Sequence, residues 1–497
     1  MDFDLDGLFN VHKLQQSKNI EDQKRLVDLV GALNSSDGWQ LCASVLTGDN
    51  SMVPNLSTIP DEQRSAIAFL CCRVIEEFLK SGINVQPSEA QLFSTFVWKW
   101  VRQLTEAREP QYQKYITVKA SQIICLGIVR FYPKHWPTAF HELLSLMAER
   151  PGKDANVGSC VTASFTSTID IFLDTLINLD PFLVSRDVQL TTEELLRANE
   201  IKDYIRETSI TALINSCYHL IHLLYGPQLP HASHLKKLLV TVGLMASWVD
   251  LHLVGSAEWI GLLADLLRAS INEYSVGAPV RCGVYSHLMG LVNKGMPAVD
   301  KINLINGIWD QLGQLLLADP LVAQLFQSES AETVNPDDGA LSSLQTFSAL
   351  LESCGQQLIE AYRSLHCLSA DGDVVNGGGG TPDEISSLRA STLQRIEDKL
   401  NLALHLFGHE DEQVSQTEDS LDYRHDLRTL ITNLIQLDAG CVLEAINQLI
   451  KHAAQWLNSS ANANQNSFAI GVDGLSDIDV ALSLFYLFGE SCKVFIY

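Results

Sequence analysis

Residues 235–254 read LKKLLVTVGLMASWVDLHLV, 257–270 AEWIGLLADLLRAS, 278–292 APVRCGVYSHLMGLV and 299–317 VDKINLINGIWDQLGQLLL. Each segment sets its apolar residues at helical spacing, and breaks at 255–256, 275–277 and 295–297 separate them. The third and fourth segments repeat the plan of the first and second after about 40 residues, the period of a two-helix repeat. One such hairpin cannot cover its own apolar face, so it has to stack on neighbours built like itself. The stretch predicts a solenoid.

The composition allows a continuous core: 46% of the 497 residues are apolar. The longest apolar run, 238–249, is interrupted by Thr241 and Ser247. It is shorter than the ~20 residues that cross a bilayer, so no membrane insertion is expected. The opening MDFDLDGLFN is acidic, unlike a secretory signal. Eleven cysteines include the adjacent Cys71 and Cys72 but no C-x-x-C pair. They read as packed, reduced thiols of a cytosolic or nuclear protein. With 59 acids against 34 bases the net charge is −25. That field repels nucleic acid and favours basic protein partners, leaving phosphate binding only to local clusters of Lys and Arg.

Taken in order, 20–33 and 38–46 form a first hairpin around the turn 34–37. A helix over 61–80 carries Ile67, Leu70, Cys71, Val74 and Phe78 on one face, with Asp61 as N-cap and Gly82 as stop. Residues 88–107 put Leu92, Phe93, Phe96, Val97 and Trp100 on theirs. Helices follow at 115–131, 137–148 and 162–179, then a connector at 180–191 and a long segment at 192–225. The acidic loop 327–339 precedes a helix at 340–365. The Gly-rich run inside 370–381 is a flexible linker, and helices return at 382–407, 421–437, 441–457 and 479–488. Period-2 alternation is almost absent. The reading is all-α, a HEAT-type helical-repeat solenoid, divided as 1–150, 151–369, the linker 370–381 and 382–497.

Two kinds of motif carry a resemblance. FYPKHWPTAF at 131–140 resembles the YP-x-x-WP-x-F turn of the karyopherin-β exportins, where two prolines break the helices and the Trp packs between them. DGWQLC at 37–42, LVSRDVQLTTEELLRANEIKDYIRE at 183–207, SWVDLHLV at 247–254, VNKGMPAVDK at 292–301, LHLFGHED at 404–411 and DVALSLFYLFGE at 479–490 look like one branch of that family, the exportin-T receptors. The chain is shorter than that family's pattern and skips helices between 413 and 419, as a truncated form would.

The resemblance implies an arched solenoid that shuttles between nucleus and cytoplasm, binds tRNA together with GTP-loaded Ran, and passes nuclear pore proteins as a monomer. GTP is then carried by Ran, and this chain needs no cofactor. By the same resemblance the inward-facing second helices of the N-terminal hairpins meet Ran. That suggests Arg73, Glu76, Glu77 and Lys80 on the exposed side of 61–80. The candidates for tRNA are Arg197, Lys202, Arg206, Arg281, Lys294 and Lys301, recognising backbone phosphates and shape. Lys202 and Arg206 are four apart and share a helix face. Rival readings are a receptor for a basic protein cargo and a truncated scaffold that binds Ran or pore proteins.

Enzyme chemistry finds little footing. Gly377–Gly380 lacks the Gly-Lys-Ser/Thr ending of a phosphate loop. His405 and His409 have no third metal ligand at a convincing spacing, and His231 with His234 reads as a turn. Glu76-Glu77 and Glu193-Glu194 are ordinary helix acids rather than a catalytic pair. Trp39 is a core anchor, because hairpin packing needs a large apolar residue there.

Overall fold

The computed structural model describes residues 7–48 (except 9 and 34–37), 59–81, 86–106, 113–148, 163–184, 189–319 (except 227), 322, 338–370 and scattered positions between 387 and 488. Among these there is helix and no strand. The chain divides into two compact units, Met1–Leu224 and Tyr225–Tyr497.

Unit one holds α1 (Val11–Gln16), α2 (Ile20–Leu33), α3 (Gly38–Thr47), α4 (Asp61–Lys80), α5 (Pro87–Glu106), α6 (Lys114–Phe131), α7 (Ala139–Ala148), α8 (Ala163–Leu183), α9 (Thr192–Thr208) and α10 (Ile210–Leu224). α4, α6 and α8 pack on one another as one row, and α3, α5 and α7 as a second. This two-row stacking is the expected repeat architecture. The first hairpin and the helix 61–80 stand where the periodicity put them. Helix α4 starts at Asp61 with Pro60 in the N-cap position, not Asp61. Pro fits a helix start because no intrahelical partner awaits its missing N–H. Gly82, the expected stop, lies outside the described residues. On α5 the expected face is buried except Leu92, which is 53% exposed.

Phe93 is the hub of this unit. Its ring meets Phe96, Phe131 and Trp136 at centroid distances of 6.1, 5.4 and 5.7 Å. It lies so close to the α6 backbone that a Cβ on Gly127 would come within 2.3 Å of it. The turn after α6 contains a cis Tyr132-Pro133 bond. Trp136 is 2% exposed there and donates to a Glu142 carboxylate oxygen at 3.0 Å. Trp98 donates to the same oxygen and Thr138 to the other, at 2.6 Å. One carboxylate thereby joins α5, the turn and α7.

One expectation fails downstream and one gains detail. The connector proposed for 180–191 begins inside α8, which runs through Pro181 to Leu183. The long segment 192–225 is two helices, divided at Ser209. Glu194 is not an ordinary acid. It forms a capping box with Thr191, and those hydrogen bonds lower its pKa.

Unit two holds α11 (Ala232–Ala246), the single turn α12 (Leu251–Val254), α13 (Ala257–Ile271), α14 (Tyr274–Val292), α15 (Ala298–Leu317) and α16 (Asp338–Ala370). α14 is central, packing on α11, α13, α15 and α16, and α13 packs on α15. The break expected at 275–277 lies instead at Asn272 and Glu273, and the helix runs through Gly277 and Pro279. Gly277 has a packing role: a Cβ there would come within 2.1 Å of the Ser270 carbonyl oxygen. α11 and α14 meet backbone to backbone along a glycine seam. A Cβ on Gly290 would come within 2.1 Å of Gly243 O, one on Gly243 within 2.8 Å of Ser286 O, and one on Gly283 within 2.9 Å of Lys236 Cα. Of the expected linker 370–381, Ala370 still belongs to α16, and the remainder, like the acidic loop residues 327–337, lies outside the described residues. So does most of the chain beyond 387.

Helix propensity and packing make opposite predictions for these glycines. Gly261 on α13 has nothing within 4 Å of its Cβ position, so Gly261→Ala should stabilise by up to ~1 kcal/mol. Gly290→Ala should instead destabilise by roughly 1–3 kcal/mol despite the same gain. Thermal unfolding of the two variants checks the pair.

His287 gives a pH signature. It is fully buried beside Trp259, its Nε2–H donates to Val254 O at 2.9 Å, and its Nδ1 has no partner. Burial pulls its pKa from 6.5 down to about 4, the hydrogen bond opposing this. The unfolded chain therefore binds a proton that the folded chain refuses. Stability is intact above about pH 6.5 and falls by up to about 3 kcal/mol as pH drops toward 4. His287→Gln, which does not titrate, should flatten the urea-midpoint profile over that window.

Candidate functional site

The basic residues singled out from the sequence divide into two groups by what they touch. The last turn of a helix leaves carbonyls without intrahelical partners and a partial negative charge. In this protein cations from later elements fill those places. Arg130 of α6 donates to Phe78 O and Leu79 O at the end of α4, at 2.7 and 3.0 Å. Arg197 of α9 donates to Val129 O at 3.3 Å, Arg130 O at 3.4 Å and Tyr132 O, at the end of α6. Lys294 reaches back to Ala246 O and Val249 O, at 3.3 and 2.6 Å, after α11. Lys301 of α15, 4% exposed, donates to Val292 O at 2.5 Å and to Lys294 O, after α14. Desolvation lowers the Lys301 pKa.

Arg281 is fully buried. It donates to Ser270 O at 2.7 Å and pairs with the equally buried Asp319 at 2.8 Å. Tyr285 and Ser343 donate to the same carboxylate oxygen at 2.8 and 3.0 Å. Such a pair survives burial because its charges and lone pairs are satisfied within the site. Arg197, Arg281, Lys294 and Lys301 therefore hold helix ends or buried acid, and two of the four, Arg281 and Lys301, are buried away from any phosphate. The sequence carries no sign of this, since a Lys that caps a distant carbonyl looks like a Lys on a solvated face. Arg130, the same kind of clamp, was not singled out at all. Its one sign is its place in the last turn before Tyr132-Pro133.

Lys202 and Arg206 remain on an outer face of α9. Ala198, Ile201 and Ile205 take the buried side, and Leu195, Asn199, Lys202 and Arg206 line up along its flank at helical spacing. Leu195 is 42% exposed. Arg206 pairs with Asp203 at 2.5 Å. Desolvation, then the neighbouring Arg206, lowers the Lys202 pKa, with Asp203 opposing. A partly desolvated ammonium loses less hydration when an anion docks on it.

On α4, Arg73 and Glu77 form an exposed pair at 3.8 Å, and Lys80 is exposed in the last turn. Glu76 does not share that surface. It is 3% exposed and pairs with Lys119 of α6 at 2.7 Å, because the stacking of α4 on α6 carries that lysine over it. Counting hairpins from α2, the second helices are α3 and α5. The α4 residues thus belong to the row of first helices. His231 and His234 lie with ring centroids 6.2 Å apart, and no cluster of metal-binding side chains occurs among the described residues. His405 and His409 lie outside them.

A family model for exportin 1-like proteins matches residues 113–278. Exportin-T of Danio rerio is 29% identical over 399 residues, covering 80% of this chain and 34% of that protein. Exportin-T of Homo sapiens is 28% identical over 400 residues, with the same two shares. Exportin-T of Chaetomium globosum is 21% identical over 491 residues, covering 91% of this chain and 44% of the relative. The chain spans about a third of the length of the first two.

The two groups of cations should separate by stability. Lys294→Met leaves carbonyls at a helix end without a charged donor and should lower stability by roughly 1–3 kcal/mol. Arg206→Met acts on an exposed side chain paired to an exposed acid and should change it by less than about 1 kcal/mol. Denaturant midpoints of the two variants measure the difference.

Proposed function

From the similarity to the exportin-T proteins, of whose length the chain spans about a third, we propose that it acts as a nuclear export receptor whose cargo is tRNA, bound together with GTP-loaded Ran. The observation that carries the reading is the similarity to exportin-T along four-fifths of the chain. A stack of two-helix repeats is a surface for holding large partners, which suits a receptor rather than an enzyme. GTP belongs to Ran, and passage involves pore proteins.

In this reading Lys202 and Arg206 contact tRNA phosphates, and Leu195 beside them offers an apolar contact. Arg73, Glu77 and Lys80 are kept as proposed contacts to Ran on their exposure alone, since α4 lies in the row of first helices. Lys294 and Arg197 serve the RNA indirectly, by fixing the angle between repeats. A basic protein cargo is the second reading, favoured by the −25 charge.

Binding of labelled tRNA, with and without GTP-locked Ran and at two salt concentrations, tests the proposal. Linkage requires that if Ran tightens tRNA, tRNA tightens Ran by the same factor. Binding should be cooperative and salt-sensitive, and Lys202→Ala with Arg206→Ala should lower the salt slope by about two. Tight binding of a basic peptide with no response to RNA would favour the second reading. No effect of Ran on tRNA binding would sink the first for this chain.

A further inference from the structure

Helix α2 packs on α1 and α3 and buries Leu29 and Leu33. A helix that buries one stripe ordinarily carries polar residues on the side facing away from it. On α2 that side is partly apolar. Ile20 and Val27, 84% and 69% exposed, are the two most exposed large apolar side chains among the described residues. With Lys24 and Gly31 they form one stripe at i, i+4, i+7 and i+11, all of it exposed. Nothing lies within 4 Å of the position that a Cβ on Gly31 would take. Asp28 flanks the stripe and is exposed, and neither it nor Lys24 forms an ion pair among the described residues.

This stripe is complementary to itself. In a two-fold contact, residue i of one copy meets residue j of the other, and j meets i. Two antiparallel α2 helices that set residue 20 against 31 also set 24 against 27. Each Ile20 then lies over the open Gly31 of the partner subunit. Each Val27 lies along the aliphatic stem of the partner's Lys24, whose ammonium reaches Asp28 one residue further on. A large residue meets a small one and a cation meets an acid, twice over. A parallel contact would instead set Lys24 against Lys24 and Asp28 against Asp28.

We propose that α2 is a self-association surface through which two copies of this chain pair antiparallel. The assignment does not depend on the cargo proposed above, and it departs from the monomer that the resemblance implies. A helix of 14 residues is about 21 Å long. One such contact falls short of the roughly 1,200 Å² at which stable interfaces begin, so the pairing is weak, with a Kd on the order of 100 µM.

Sedimentation velocity of the full chain over about 10–300 µM tests it, in salt that screens the net charge of −25. Mass should rise with concentration toward that of a dimer. Val27→Glu changes an exposed residue, so its melting temperature should hold while pairing weakens about ten-fold or more. Lys24→Asp and Asp28→Lys should each weaken pairing by opposing like charges. Mixing these two variants should restore it as a heterodimer, since every charge again meets its opposite, and restoration shows that both have folded. A monomer at every concentration, association unchanged in Val27→Glu, or no restoration on mixing would each overturn the proposal. So would binding of the monomer to phosphatidylcholine vesicles that is lost in Val27→Glu, which would make the stripe a lipid contact.

Discussion

A cation seated on the open carbonyl end of a helix in a neighbouring element is the interaction on which this architecture turns. Stacked hairpins touch only their neighbours, so a small rotation at each joint accumulates along the row. Apolar packing resists such rotation weakly, because it is non-directional. A charged hydrogen bond to two or three carbonyls resists it strongly, because donor and acceptor must stay in line. Arg130 and Arg197 do this in the first unit, and Lys294 and Lys301 in the second. In the second unit the clamps run in series: Lys301 holds the carbonyl of Lys294, whose own ammonium holds the end of α11.

Close backbone approach is the other constraint. Between α11 and α14 it comes from Gly243, Gly283 and Gly290, where any side chain would meet the partner's main chain. In the first unit a ring replaces the missing side chain, Phe93 lying over Gly127 with Trp136 against it. One device brings helices together by removing atoms and the other by filling the space with an aromatic. Both leave the clamps little slack.

The fold was legible where a single rule governed a segment. The helix at Asp61–Lys80 and the segments 257–270, 278–292 and 299–317 followed from periodicity, because each helix buries one stripe, whereas 235–254 is broken after Ala246 and continues only as the turn Leu251–Val254. Reading failed where a residue had two physical uses. Gly277 marks a break by propensity but serves contact with Ser270, and Pro181 sits in the last turn of α8 although Pro usually ends a helix. Leu92, on the apolar stripe of α5, is exposed rather than in the core. The site was less legible than the fold. Glu76, Arg281 and Lys301 have the spacing of surface charges, and only the stacking of distant helices decides that they are buried. Motif resemblance pointed to the family from SWVDLHLV and VNKGMPAVDK. The structure gives these stretches a physical role, since they contain Val249, Lys294 and Lys301 of the clamp series.

The net charge of −25 sets how any anion could be held. At physiological ionic strength the field of a charge fades over about 8 Å. A phosphate on α9 therefore senses Lys202, Arg206 and Asp203 far more than the distant acids. Long-range steering runs the other way and slows the approach of nucleic acid. Affinity for an anion on this chain must then come from slow release rather than fast capture. That places the demand on geometry, on a face whose Lys202 is already partly desolvated and held on a helix pinned through Arg197 to the end of α6. The clamps that seemed to subtract cations from a binding surface are what would hold the remaining ones in place.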